Sequence, residues 1–168
     1  MATQSNENKF IPLCVPEIRG NEWDYIKECL DTNWVSSAGS YVTRFENNLA
    51  AYVGTHYAVA TSSGTAALHL ALIAAEVLPN EEVLVSDLTF IAPANAVRYV
   101  GAWPTFVDVD VNYWQMDPDK LEDLLTKGCT WENGHLKNKT TKRTISALIL
   151  VHILGPVSYT HLTLPTKA

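Results

Sequence analysis

Cysteine is scarce in this chain of 168 residues: Cys14, Cys29 and Cys129 are odd in number and show no paired spacing. Such a set argues against a disulfide frame or a cysteine-zinc site and fits reduced thiols. Long apolar runs are lacking too. The longest, Ile145 to Val157, is broken by Ser146 and His152 and falls short of the roughly 20 residues that a membrane-spanning helix requires. Positive charge is in deficit, with 12 Lys+Arg against 18 Asp+Glu and a formal net charge of −6. Nothing supplies the field with which a protein grips phosphate backbones, so neither nucleic acid nor a membrane is an expected partner. The opening MATQSNENKF has no basic n-region and no apolar h-region, and it reads as the polar lead-in of a cytoplasmic protein.

What is present is a large apolar fraction, 47% of residues. At this length one domain is the default expectation. Trp23, Ile26, Cys29 and Leu30 recur at three- and four-residue steps, which predicts an amphipathic helix from Asn21 to Leu30 capped by Asn21. A second helix is expected over Val42 to Val53, with Thr32 to Gly39 as a loop between them. Beyond Gly54 the pattern changes. Tyr57-Ala-Val-Ala-Thr61 reads as a short strand, and Ala66 to Val77 as a helix apolar nearly all round and therefore buried on most sides. Val83 to Ser86 reads as a buried strand. Phe90 to Val100 is a helix that tolerates Pro93 in its first turn and stops at Gly101. Thr105 to Val109 is a further strand. Asp117-Pro118 is an N-cap and first helical position for a helix reaching about Thr126. Lys127 to Arg143 is polar and reads as an exposed excursion, before Ile145 to Ile153 returns as a strand. This alternation predicts a three-layer α/β/α fold with a mostly parallel sheet.

The stretch Ala58-Val-Ala-Thr-Ser-Ser-Gly-Thr-Ala-Ala-Leu68 carries the most chemistry. A strand, a turn of small hydroxyl residues and a helix start leave free amides at the positive end of a helix dipole, where an anion is stabilised. Gly64 lets the backbone approach a phosphate, and Ser63 and Thr65 each add a hydroxyl. The motif reads as a monophosphate cup, since it is neither GxGxxG nor GxxxxGK[ST]. The plain alternative is that Ser63 is only an N-cap and Gly64 only a turn. Asp108 and Asp110 read as capping residues, and His152 as a packing or hydrogen-bonding residue near a strand end. Trp34, Ser36 and Ser37 fit either a ligand cleft or a subunit contact.

GTHYAVATSSGTAALHLAL, VLVSDLTFIAPANAVRYVGAWPTFVDVD, YWQMDPDKLEDLL and ALILVHILG, in that order, resemble the N-terminal part of the DegT/DnrJ/EryC1/StrS nucleotide-sugar aminotransferases, from about Ile11 to Gly155. The resemblance implies a truncated large domain of PLP fold type I over residues 1–156. It implies that Ser63, Gly64 and Thr65 hold the phosphate of pyridoxal 5′-phosphate (PLP) and that Phe90 stacks on its pyridine ring. Asp87 departs from the neutral or aromatic residue expected there. NWVSSAGSYV, TFIAPANAVRYVGAWP and VNYWQMDP are similar to the branch acting on UDP-4-keto-6-deoxy sugars toward legionaminic acid. Glutamate as amino donor and a homodimer are further implications.

That chemistry needs a lysine to bind the cofactor and shuttle a proton, and an acid to keep the pyridine nitrogen protonated. In the family both follow the VHILG segment, so no catalytic residue is assigned here. Lys120, Lys127, Lys137, Lys139 and Lys142 stand in no such setting. A histidine in place of the lysine marks sugar dehydratases of the same family, and SSGT after a strand also suits a noncatalytic sugar-phosphate-binding module. Residues 157–168 resemble the translation of a sequencing adapter and are expected to be a non-native tail.

Overall fold

The computed structural model describes residues 10–12 and 14–155. The tail at 157–168 lies outside the described residues. The contacts divide the chain into two units, Met1–Ala60 and Thr61–Ala168.

The first unit carries two helices, α1 (Glu22–Asp31) and α2 (Ser40–Val53). Both lie where the apolar spacing places them, joined by the expected loop. The capping expectation for Asn21 fails: it sits at the N-cap position of α1, but its side chain makes no cap bond and its amide instead reaches the Tyr25 hydroxyl at 3.4 Å. The backbone explains this, because φ −91°, ψ 15° at Asn21 is not the extended conformation that turns a capping oxygen toward the first turn. Tyr41 donates to the Glu28 carboxylate at 2.6 Å, and that bond holds the Tyr41 hydroxyl's pKa up at about 12. α2 stops at Gly54, whose left-handed φ of 74° lets its N–H reach the Ala50 carbonyl.

The expected strand at Tyr57–Thr61 does not form. A strand exists only against a neighbour, and none of the described strands pairs with this segment, where Val59 stays 74% exposed.

The second unit is a parallel sheet with helices on both faces. Its strands are β1 (Glu82–Ser86), β2 (Trp103–Val107) and β5 (Ile145–Ile149), in the order β2-β1-β5. β1 is central and buried at all five positions, its apolar Val83, Leu84 and Val85 lying between the buried polar residues Glu82 and Ser86. Helices α3 (Gly64–Ala74) and α4 (Ile91–Tyr99) cover one face. There Leu72, Val83, Val85, Ala96 and Val97 form one core, joined by Leu68, Ala147 and Ile149. On the other face Leu84, Val107 and Met116 pack with Leu121 of α5 (Pro118–Asp123) and with Leu124 and Leu125 of the wide turn that follows it.

α3 departs from expectation in one respect. Its apolar surface is not buried all round: Leu72 alone is fully buried, and Leu70 and Ile73 are about half exposed. The sheet and α4 cover one side of the helix, and nothing among the described residues of this unit covers the other.

α5 begins as the sequence dictates. The Asp117 carboxylate accepts the amides of Asp119 at 2.9 Å and Lys120 at 3.2 Å, with Pro118 preset for the first helical position. Asp117→Ala is expected to cost about 0.5–2 kcal/mol, read as a lower denaturant midpoint at unchanged slope.

The polar excursion is a hairpin. β3 (Cys129–Glu132) and β4 (His135–Asn138) pair antiparallel around Asn133-Gly134, both at positive φ (53° and 79°), as a type I′ turn demands. An Asn-Gly dipeptide between short runs holding Trp131 and Leu136 was the signal available in the sequence.

Candidate active site

α4 leaves the carboxyl end of β1 and returns to the start of β2, while α3 leads through a short turn into the start of β1. The two helices pack side by side, so their first turns share the carboxyl end of the sheet. In open α/β sheets this is the end at which ligands bind.

At the first turn of α3, Ser63 has an extended backbone and its hydroxyl accepts the Ala66 amide at 3.2 Å. The capping role assigned by the plain reading is therefore present. It also orients the turn outward. Ser63 and Gly64 are exposed, Thr65 is half-buried, and a side-chain carbon added at Gly64 would meet nothing within 4 Å. Open space, unpaired first-turn amides and the positive dipole end thus coincide, which is the environment that a phosphate requires.

Phe90 occupies the N-cap position of α4 and is 80% exposed. Among the described residues it joins neither apolar core, and its ring is exposed at the same end of the sheet. Beside it, the Thr89 hydroxyl is buried with no hydrogen-bond partner among the described residues, a feature with no signature in the sequence.

The other candidates resolve into structure. Asp110 accepts the amides of Asn112 at 2.8 Å and Tyr113 at 2.9 Å, which is the capping role expected of it. Asp108 accepts the Val109 amide at 2.9 Å and pairs with Lys120. The Lys120 bond, helped by that amide, holds the Asp108 carboxyl below its ordinary range, and the same bond raises Lys120. The sign follows: the pair supports the fold above the unfolded carboxylate's range, and its support fades as pH falls through the depressed value. Both groups are solvated, so the effect is small. Asp87 lies beside this pair, its amide bonded to the Val107 carbonyl at 3.0 Å. Lys127 pairs with Asp123 and Lys137 with Glu132, while Lys139 donates to the Lys127 carbonyl. His152 is exposed beyond the end of β5. Trp34, Ser36 and Ser37 lie in the first unit's loop, where the Ser36 hydroxyl accepts the Ala38 amide. No described helix is long and apolar enough to cross a membrane.

These features define an α/β unit with an open helix N-terminus and an exposed aromatic residue at the carboxyl end of a parallel sheet. Residues 16–160 match the model of the DegT/DnrJ/EryC1/StrS aminotransferase family, and the chain belongs to that family. It is 42% identical over 147 residues to a GDP-perosamine synthase of Escherichia coli O157:H7, covering 88% of this chain and 36% of that protein. It is 47% identical over 116 residues to the GDP-perosamine synthase of Caulobacter vibrioides, covering 69% of this chain and 31% of that protein. The PLP-form of Spr1654 from Streptococcus pneumoniae superposes with a TM-score of 0.67 at 28% identity, covering 89% of this chain and 34% of that one. The chain thus spans about a third of the length of the relatives it matches. The family's cofactor is PLP, and the resemblance noted in the sequence agrees with the family, the fold and the cofactor.

Proposed function

We propose that this chain is the N-terminal third of a PLP-dependent aminotransferase that converts a nucleotide-linked 4-keto-6-deoxy sugar to its 4-amino derivative. The carrying observation is the first turn of α3, with Ser63, Gly64 and Thr65 turned to open space at the carboxyl end of the sheet. There the amides of Gly64 and Thr65, with the hydroxyl of Thr65, bind the cofactor's phosphate. Ser63 fixes the turn through its bond to the Ala66 amide. Phe90 offers a planar apolar face against which the pyridine ring lies and is held in orientation. When bound, PLP supplies the electron sink through which an amino group is taken up and passed on.

UDP is the nucleotide and glutamate the amino donor in this reading, and the enzyme works as a cytoplasmic homodimer. The names of the perosamine synthases make the nucleotide the point to test. In this reading the 168-residue chain by itself does not turn over, because the family's cofactor-binding lysine follows the VHILG segment; among the described residues Lys120, Lys127 and Lys137 form solvated ion pairs with Asp108, Asp123 and Glu132.

The completed protein, purified, is expected to show a visible absorbance band that borohydride abolishes, and to aminate a UDP-linked ketosugar faster than its GDP-linked counterpart. A colourless protein that binds phosphosugars contradicts the enzyme reading. Faster turnover of the GDP sugar overturns the nucleotide alone.

A further inference from the structure

Glu82, the first residue of the central strand, is 1% exposed, yet it carries a carboxylate. All of its side-chain partners come from the far side of the hairpin. Asn138 donates to one oxygen at 3.0 Å, Thr141 donates to the other at 2.6 Å, and the Arg143 guanidinium stands 3.7 Å from the latter. A buried carboxylate left unpaired is costly, so removing one of these partners destabilises the segment more than losing an ordinary hydrogen bond would.

Of the hairpin's apolar side chains Cys129, at the base of β3, is 4% exposed, and the two large ones are less covered. Trp131 is about half exposed and Leu136 half-buried, and neither belongs to the two apolar cores. They instead wall a cavity of about 200 Å³, whose floor and far side are Leu84, Leu148, Leu121 and Leu125. The segment is bounded by Gly128 at one end and by Lys142, at a left-handed φ of 66°, at the other.

We propose that the β3–β4 hairpin is a flap that opens from the sheet without global unfolding, latched by the Glu82 carboxylate, and that its opening bares this apolar cavity. The hairpin keeps its own ladder, is joined to the sheet by the Lys137–Thr144 bridge and by the buried Cys129, and turns its long-range side-chain hydrogen bonds on Glu82 alone, which makes it a cooperative unit distinct from the buried strands. When it swings away, Leu84 and Leu148 lose the Trp131 and Leu136 wall. The latch sits at the amino end of β1, opposite the anion cup.

Native-state hydrogen exchange on the full chain tests this, with Glu82→Gln and Thr141→Val as variants. In the unsubstituted protein, the amides of Trp131 and Leu136 are expected to exchange through an opening of lower free energy than those of Leu84 and Leu148. Each variant is expected to speed hairpin exchange about tenfold, the size of one hydrogen bond to a charged group, while the strand amides stay within about twofold. Binding of 8-anilinonaphthalene-1-sulfonate should rise in the same variants. Thr141 is exposed, so its substitution leaves the fold in place even if Glu82→Gln prevents folding. Hairpin and strand amides that exchange with one shared free energy, or hairpin rates unchanged in Thr141→Val, overturn the proposal.

Discussion

Replacing Gly64 with aspartate is expected to abolish cofactor binding in the completed protein while leaving its fold as stable as before. The two effects separate because of where Gly64 sits. It is the first residue of α3, and an added side chain there meets nothing within 4 Å, so no packing is disturbed. A carboxylate at a helix N-terminus gains about 0.3–1 kcal/mol from the dipole. The same carboxylate occupies the space assigned to a phosphate dianion. At about 4 Å and an effective dielectric of about 20, each like-charge pair costs about 4 kcal/mol, which is a loss of several hundredfold or more in affinity. Titration of PLP against Gly64→Asp, with thermal unfolding of the same sample, reads both effects. Retained affinity contradicts the placement of the phosphate, and a collapse in stability contradicts the openness of the turn.

Leu84→Ala is expected to have the largest effect on stability. Leu84 is 2% exposed at the middle of β1, paired with Thr105 on one side and Leu148 on the other, and it packs against Val107, Met116 and Leu121. It also floors the existing cavity of about 200 Å³, so the methyls removed enlarge a void that the strands, held on both edges, do not collapse to fill. The expected cost is about 2–5 kcal/mol, against a total of roughly 5–15 kcal/mol for an ordinary domain. Chemical denaturation checks it through the midpoint at constant slope. A cost below about 1 kcal/mol means that the site relaxes and the packing described for this face is wrong.

The elements that the sequence discloses are those whose signal is local. β1 and β5 are mainly apolar segments, with Val83-Leu84-Val85 in one and Ala147-Leu148-Ile149 in the other, α4 has Pro93 in its first turn and stops before Gly101, and α5 has Asp117-Pro118 at its start. Each is decided by burial or by a capping group within a few residues. The misreadings share the opposite cause. Tyr57–Thr61 has strand composition but pairs with none of the described strands, and pairing is not a local property. The Lys-rich excursion from Lys127 to Arg143 looks solvated because its order comes from Glu82, more than 50 residues away at Asn138 and Thr141. Its turn was nevertheless marked by Asn133-Gly134. α3 is apolar on every side, but composition alone does not say which neighbours are there to cover it.

The candidate site was legible to a similar degree and for a similar reason. A hydroxyl, a glycine and a helix start in sequence define the cup at Ser63 to Thr65, because all three act through one turn. Phe90 needed the family resemblance, since a lone aromatic before a helix has no chemistry of its own, and its exposure is visible only in the structure. The buried Thr89 hydroxyl, without a hydrogen-bond partner among the described residues, was not legible at all.

Cofactor binding as proposed requires a phosphate seated at the first turn of α3 and a ring against Phe90. A crystal structure of the completed protein grown with PLP tests it most directly. The expected result places phosphate oxygens about 3 Å from the amides of Gly64 and Thr65 and the pyridine ring over the exposed face of Phe90. Phosphate bound elsewhere, or a first turn of α3 covered by protein with no anion against it, contradicts it.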